Sequence, residues 1–257
     1  MYNVNEKLDA HYKAVESYCE KSNSTLIFTA LFGSQNYNLD DENSDVDTKS
    51  MIIPDLKEYF YNSKIASKTI FFADNSHAEQ SYPMDLFHQF IKGNVNFLEI
   101  LYTSYIKVNP NWEWVVDCLK KMRNYITTNN PTEQCVVWYG YITQMYKRSY
   151  TNEVINYKAL MNLVRLQDLY YNYFVRNEDF SSAIYYSYTD PKRENLLAIK
   201  QGNCDDPLKL REETYFKATE CHEKIKKYYE SKRINDYRED ALKELNYKIF
   251  KHAIDNS

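Results

Sequence analysis

The chain has 257 residues, 44% of them hydrophobic, and a formal net charge of −4. That length can bury a real core in one large domain or two small ones, and the acidic balance argues against binding driven by a globally basic surface. Five scattered cysteines (Cys19, Cys118, Cys135, Cys204, Cys221) include no CxxC pair, which argues against a disulfide framework and a structural zinc site. Cys118 and Cys135 read as small buried hydrophobes.

Glycine is the most informative count. There are four, Gly33, Gly93, Gly140 and Gly202, and no two are close together. A GxGxxG dinucleotide turn and a GxxxxGK phosphate loop both need clustered glycines, so both are excluded. Residues 1–21 are charged throughout, and no run approaches the roughly 18 apolar residues of a membrane helix. The expectation is a soluble, cytoplasmic chain with no export signal and no membrane partner.

In chain order, Leu8, Tyr12, Val15 and Cys19 are spaced for an amphipathic helix over 5–21. The apolar, partly β-branched run 25–32 predicts a buried strand ending at Gly33-Ser34. A polar, turn-rich loop then leads to a second strand over 45–53, stopped by Pro54. Residues 68–72 predict a third strand, and 77–82 either continue it or form a fourth. From Asp85 the period becomes helical, with two short helices broken near Gly93-Asn94 and another over 112–125. Asn130-Pro131 reads as an N-cap followed by proline at the first helical position, opening a helix to about Lys147. Thr151 is expected to cap a long helix carrying Ile155, Ala159, Leu163, Leu166 and Tyr170. The segment 177–195 reads as polar turns, and 206–230 and 236–254 as two charged amphipathic helices. The predicted class is α+β: a small mixed-sheet unit within 1–125, then an all-helical domain over 126–257.

The chemistry concentrates in Gly33-Ser34, ten residues, then Asp45-Val46-Asp47. On a strand, Asp45 and Asp47 point the same way, about 6.5–7 Å apart along the chain. Two such carboxylates repel unless a cation sits between them, and a hard divalent ion with oxygen ligands suits that place. Lys49 shares their face. Gly33 lets backbone pass close to a ligand, and Ser34 adds a hydroxyl and an N–H, which together can cradle a phosphate. A helix opening just after Ser34 would add its first amides.

This GS-x10-DVD pattern after an apolar strand resembles the DNA polymerase beta-like nucleotidyltransferase superfamily. Ser44-Asp45-Val46-Asp47-Thr48-Lys49-Ser50-Met51-Ile52-Ile53-Pro54 is similar to the SD[IV]D-x-K-x-[IM]-[FI]-[IV]-P run of its microbial and phage branch of predicted nucleotidyltransferases. Residues 92–101, KGNVNFLEIL, resemble the KGNxNxLE[IL]L segment of that branch, and weaker echoes lie at 158–166 and 196–202. The resemblance implies a palm-like sheet and transfer of a nucleoside monophosphate from an NTP, ATP included, to an acceptor hydroxyl, with release of pyrophosphate. It implies two Mg²⁺ ions, replaceable by Mn²⁺, held by three carboxylates. Asp45 and Asp47 are the first two, and the family register puts the third at Glu79, with Asp85 as rival and Asp74 behind it. His77 stands where an Asp is frequent in that family. Ser34 and the amides around it would hold the β- and γ-phosphates, with Lys49 neutralising charge.

Lys158, Asn162 and Arg165 fall at i, i+4 and i+7 on one helix face, offset from the apolar stripe, and the echo at 158–166 points that face at the triphosphate. Lys147, Arg148 and Lys200 are further cations of the same kind. The acceptor stays open among an RNA end, a small molecule, a protein hydroxyl and another nucleotide. The competing expectation is a nucleotide- or partner-binding module of the same fold without turnover, of toxin–antitoxin or defence type.

Overall fold

The computed structural model describes residues 3–42, 44–55, 57, 61, 68–232 and 240–256. Helix α1 (Val4–Lys21) is capped by the Asn3 side chain and buries Leu8, Val15 and Cys19 along one stripe. Strand β1 (Thr25–Phe32) follows at the expected bounds and is apolar on both faces, as a central strand must be. Strand β2 (Asp47–Ile53) starts two residues later than predicted, so Asp45 and Val46 stay in the preceding loop. Strands β3 (Thr69–Phe71) and β4 (His77–Ser81) are separate elements, which resolves the alternatives left open for 77–82. A fifth strand, β5 (Ile106–Val108), was not anticipated.

The sheet order is β3-β4-β2-β1-β5. All neighbours are antiparallel except β2 and β4, which run parallel with Lys49 opposite Glu79. Because side chains alternate, Asp47 and Lys49 share a face with Met51 and Ile53, while Thr48, Ser50 and Ile52 point the other way. The second face is covered by α1, through Val15 and Cys19 against Leu26, Ile52 and Ala78. There His11 bonds the Thr48 and Ser76 hydroxyls at 3.0 and 3.1 Å and stacks on Phe72. Burial drops its pKa to about 4, so it sits neutral in the structure.

Helices pack on the first face. The short pair α2 (Pro83–Ile91) and α3 (Val95–Leu98) breaks at Gly93-Asn94, and α4 (Glu113–Thr128) follows. Gly93 has φ +67, and a Cβ there would collide with the Gln134 side chain, so glycine is required twice over. Helix α5 (Pro131–Ser149) has Asn130 as its N-cap and Pro131 in its first turn, as expected. The long helix α6 (Tyr157–Phe174) is capped by Asn156 rather than Thr151. Thr151 instead ends β6 (Tyr150–Thr151), which pairs with β7 (Val154–Ile155). Asn152 and Glu153 both take positive φ between them, the geometry of a type I′ hairpin turn. The second half is therefore mostly, not wholly, helical.

The stretch 177–195, expected as turns, carries α7 (Phe180–Ile184) and the start of α8 (Pro191–Lys200). Helices α9 (Pro207–Lys232) and α10 (Asp240–Asp255) match the last two expected segments, and residues 236–239 of the final one lie outside the described residues. Among the described residues no helix is long and apolar enough to cross a membrane. Cys135 is buried as expected, whereas Cys118 is only half-buried.

One apolar cluster runs from Ile27 and Phe28 of β1 through Trp138 and Leu163 to Ile249, across the boundary expected near residue 125. Trp138 is its centre: fully buried, it touches Tyr173, Phe174 and Phe180, and its indole N–H donates to the Gly93 carbonyl at 2.5 Å. A core shared in this way predicts one cooperative urea transition, coincident by circular dichroism and fluorescence. Trp138→Ala should lower the unfolding free energy by about 3–5 kcal/mol. Two separated transitions would show that the halves fold apart.

Candidate active site

Gly33 ends β1 with φ +98 and ψ −157, a conformation that disfavours any side chain, and the chain turns at once into a single 3₁₀ turn, Ser34–Tyr37. The helix expected after Ser34 is therefore only this turn. Its exit is also left-handed, at Asn38. Polar side chains fix the bend at both ends. Asn36 donates to the Leu31 carbonyl at 2.7 Å and accepts from the Thr103 hydroxyl at 2.7 Å. Gln35 donates to the Asp45 carbonyl at 2.6 Å, which ties the bend to the loop that carries the first carboxylate.

The helical half clamps that loop from outside. Arg193 donates to the Asn38 carbonyl at 2.7 Å, and the Asn38 amide donates to the Tyr186 carbonyl at 2.9 Å. Lys200 meets the Asp41 carboxylate at 2.9 Å and donates to the Ser44 hydroxyl at 2.8 Å. Lys200 is thus a strap on the loop as well as part of the cleft wall. None of these clamps was foreseen, because they join residues about 150 positions apart.

Between the bend and α6 lies a cleft of about 400 Å³. Seven of the expected residues line it: Gly33, Ser34, Asp45, Asp47, Lys158, Asn162 and Lys200. The Ser34 hydroxyl makes no hydrogen bond to a described residue. Lys158, mostly exposed, lies 3.6 Å from the Asp45 carboxylate. The Asn162 amide donates to the Lys158 carbonyl at 2.9 Å and accepts from Arg165 at 3.2 Å.

Asp47 is held by His77. The imidazole Nδ1 lies 2.7 Å from Asp47 Oδ1, and the His77 backbone N–H donates to the same oxygen at 3.0 Å. Burial raises the Asp47 pKa and nearby Asp45 adds to the rise, while the imidazole, its backbone N–H and Lys158 oppose it. The strand register explains the contact: with Lys49 opposite Glu79 on parallel strands, the neighbour of Asp47 is His77.

Glu79, Lys49, Arg165 and Asp85 do not line the cleft, and neither do Asp74, Lys147 and Arg148. Glu79 pairs with the Lys49 ammonium. That ammonium is buried and sits 4.1 Å from the centroids of both the Phe32 and the Phe97 ring. Arg165 is buried too, its guanidinium 4.2 Å over the Tyr37 ring. Asp85 lies exposed in the first turn of α2, a capping position. Among the described residues no group of three or more His, Cys, Asp or Glu side chains is arranged to hold a metal. The carboxylate that sequence reasoning missed is Glu99, inside KGNVNFLEIL, which lies buried where the Gly33 amide, the Asn36 side chain and Arg165 favour its charge.

No protein-family model matches this chain, and neither does any curated protein.

The Lys49–Glu79 pair yields a stability test. Glu79→Ala leaves a buried ammonium without its carboxylate and should cost about 2–3 kcal/mol, below the 3–5 kcal/mol of a fully buried pair because Glu79 is part-exposed. Lys49→Met, which fits the two rings without a charge, should cost less. Urea denaturation of both variants checks the order.

Proposed function

We propose that the chain is a nucleotidyltransferase that moves a nucleoside monophosphate from a Mg²⁺-bound NTP to an acceptor hydroxyl. One observation carries the reading: Asp45 and Asp47 share a single cleft with the Gly33–Ser34 bend and the Lys158 ammonium. Carboxylates for a cation, a hydroxyl-bearing bend and an unburied lysine are the parts that a triphosphate with its cation needs.

The donor set fits Mg²⁺, or Mn²⁺, arriving with the nucleotide. Two carboxylates in one cleft, one with its pKa raised by burial, suit a hard ion that completes its shell with phosphate oxygens. Asp45 and Asp47 would hold it, and it would supply charge neutralisation at the reacting phosphate. A second cation held by three protein carboxylates has less support, because Glu79 is committed to Lys49 and His77 stands beside Asp47.

The chain's own residues then have simple tasks. Ser34 donates its hydroxyl to the outer phosphates, and Lys158 moves from Asp45 to a phosphate oxygen. His77 fixes the Asp47 carboxylate through two donors to one oxygen, leaving the other oxygen for the cleft. The acceptor hydroxyl attacks the α-phosphorus as the bond to pyrophosphate breaks, and its proton passes to water. Such a transfer needs positioning and neutralised charge more than covalent help from the protein.

The engagement of Glu79 by Lys49 also favours a second reading, a nucleotide- or partner-binding module without turnover. It predicts Mg²⁺-dependent NTP binding with no pyrophosphate released across a broad acceptor panel.

Incubation with each α-labelled NTP and cell extract should label one acceptor and release pyrophosphate. Asp47→Asn keeps an oxygen for the His77 donors, so its melting temperature should stay within about 2 °C of the parent. Its transfer rate should fall about 100-fold or more. A fully active Asp47→Asn protein would end the enzyme reading.

A further inference from the structure

A second cleft, of about 390 Å³, opens at the end of α6 remote from Lys158 and shares no lining residue with the first. Four rings wall it, Tyr102, Tyr173, Phe180 and Tyr229, and Glu178 and Asp179 complete its edge. The core holds these rings in place. Tyr173 and Phe180 pack on Trp138, and Phe180 lies 5.3 Å from Tyr102 between ring centroids. The Tyr102 hydroxyl donates to the Asn124 side chain at 3.1 Å, and that of Tyr173 donates to the Thr127 carbonyl. The Tyr229 hydroxyl makes no hydrogen bond to a described residue.

The charges that line this cleft favour a cation. No lysine, arginine or histidine is among its lining residues. Helices α4 and α6 bring their carbonyl ends to it, through Thr127, Thr128 and Tyr173, and neither has a basic residue in its last turn. Pro131, which brings in the start of α5, has no N–H to offer an anion. Asp179 is ionised but occupied: it caps α7, and the Ser181 and Ser182 hydroxyls with the Ser182 N–H lower its pKa to about 2. Glu178 is less committed, its carboxylate 3.9 Å from the Arg176 guanidinium with both groups partly in water. The chain already sets cations against these groups: besides Arg176, the Arg123 guanidinium lies 5.1 Å from the Tyr102 ring centroid.

We propose that this cleft binds a small aliphatic amine through its primary ammonium, which takes Glu178 as counter-ion and lies against the tyrosine rings. A primary ammonium carries three N–H donors, and the cleft offers acceptors in the Glu178 carboxylate, the Asn177 side chain and the Tyr229 hydroxyl. The ring faces attract the same charge and cover the methylenes that follow it. An anion would meet two carboxylates, and a purely apolar ligand would strip them of water without a partner. The volume falls in the range of small-molecule sites and exceeds that of a four-carbon amine, which leaves room for water or a second ammonium. Because the two clefts share no residue, the assignment stands apart from the transfer chemistry proposed above.

Titration calorimetry of the whole chain with 1,4-diaminobutane tests the assignment, with tetramethylammonium as the comparison. The diamine should bind more tightly than tetramethylammonium, which has the charge but no N–H. Glu178→Gln should weaken diamine binding about 10-fold and Tyr229→Leu several-fold. Arg176→Ala, which frees Glu178, should tighten it about 2-fold. In the labelled parent, backbone amide shifts should move around residues 102, 124–131, 173–180 and 229, which locates the ligand even where a variant fails to fold. A parent that does not bind the diamine overturns the proposal, as does tetramethylammonium bound as tightly as the diamine. So do an unchanged affinity in folded Glu178→Gln and shifts confined to the cleft of Asp45 and Asp47.

Discussion

A lysine ammonium buried on the inner face of a sheet has to be neutralised, and in this fold Lys49 imposes that constraint. Its position on β2 puts the charge between two phenyl rings, where water is excluded and an unpaired cation would be costly. The parallel pairing of β2 with β4 supplies Glu79 directly opposite. The same pairing leaves His77, not a carboxylate, beside Asp47. The acid expected to complete a three-carboxylate cluster is therefore spent on a structural cation, and Asp47 receives a hydrogen-bonding imidazole in its place.

The cleft is assembled by two halves of the chain that share one core. The sheet contributes the bend and the carboxylates, while α6 brings Lys158 and Asn162 and α8 brings Lys200. Arg193, Tyr186 and Lys200 hold Asn38, Asp41 and Ser44 of the loop against the helices through backbone carbonyls, a carboxylate and a hydroxyl. Fixing the loop in this way lowers the entropy lost when a ligand enters, the usual gain from preorganisation. It also explains why a chain with so few glycines can build a tight polar bend: distant side chains do the holding that clustered glycines do elsewhere.

Local signals in the sequence carried most of the elements. The 25–32 run was legible because eight apolar, partly β-branched residues end at Gly33, and the start of α5 because asparagine followed by proline is a cap with a mechanism. Strand β5 was not, since three residues are too few to show an alternation. The β6–β7 turn places Asn152 and Glu153 in left-handed backbone without the glycine that announces such turns. Helix α8 did carry a readable signal, Asp190 capping before Pro191, hidden inside a polar stretch. In the site, residues that meet through nearby chain or one helix face were legible: Gly33, Ser34, Asp45, Asp47, Lys158 and Asn162. Arg165 shows the limit. Its spacing from Lys158 is right for a shared stripe, yet the Tyr37 ring and the Glu99 carboxylate, both remote in sequence, draw it inward.

Glu99 and Asp47 are carboxylates whose pKa values burial pushes up, and they differ in what opposes the push. Asp47 has a direct donor pair from His77 and faces the cleft, so its charge can be taken up by an arriving cation. Glu99 has no such access, and its charge is answered only by fixed groups. The outer carboxylate therefore faces the open cleft, whereas the inner one is enclosed by the fold. On the transferase reading proposed above, substitution of Asp47 should act on turnover, whereas substitution of Glu99 should act on packing beneath the bend, a difference that follows from burial and partners.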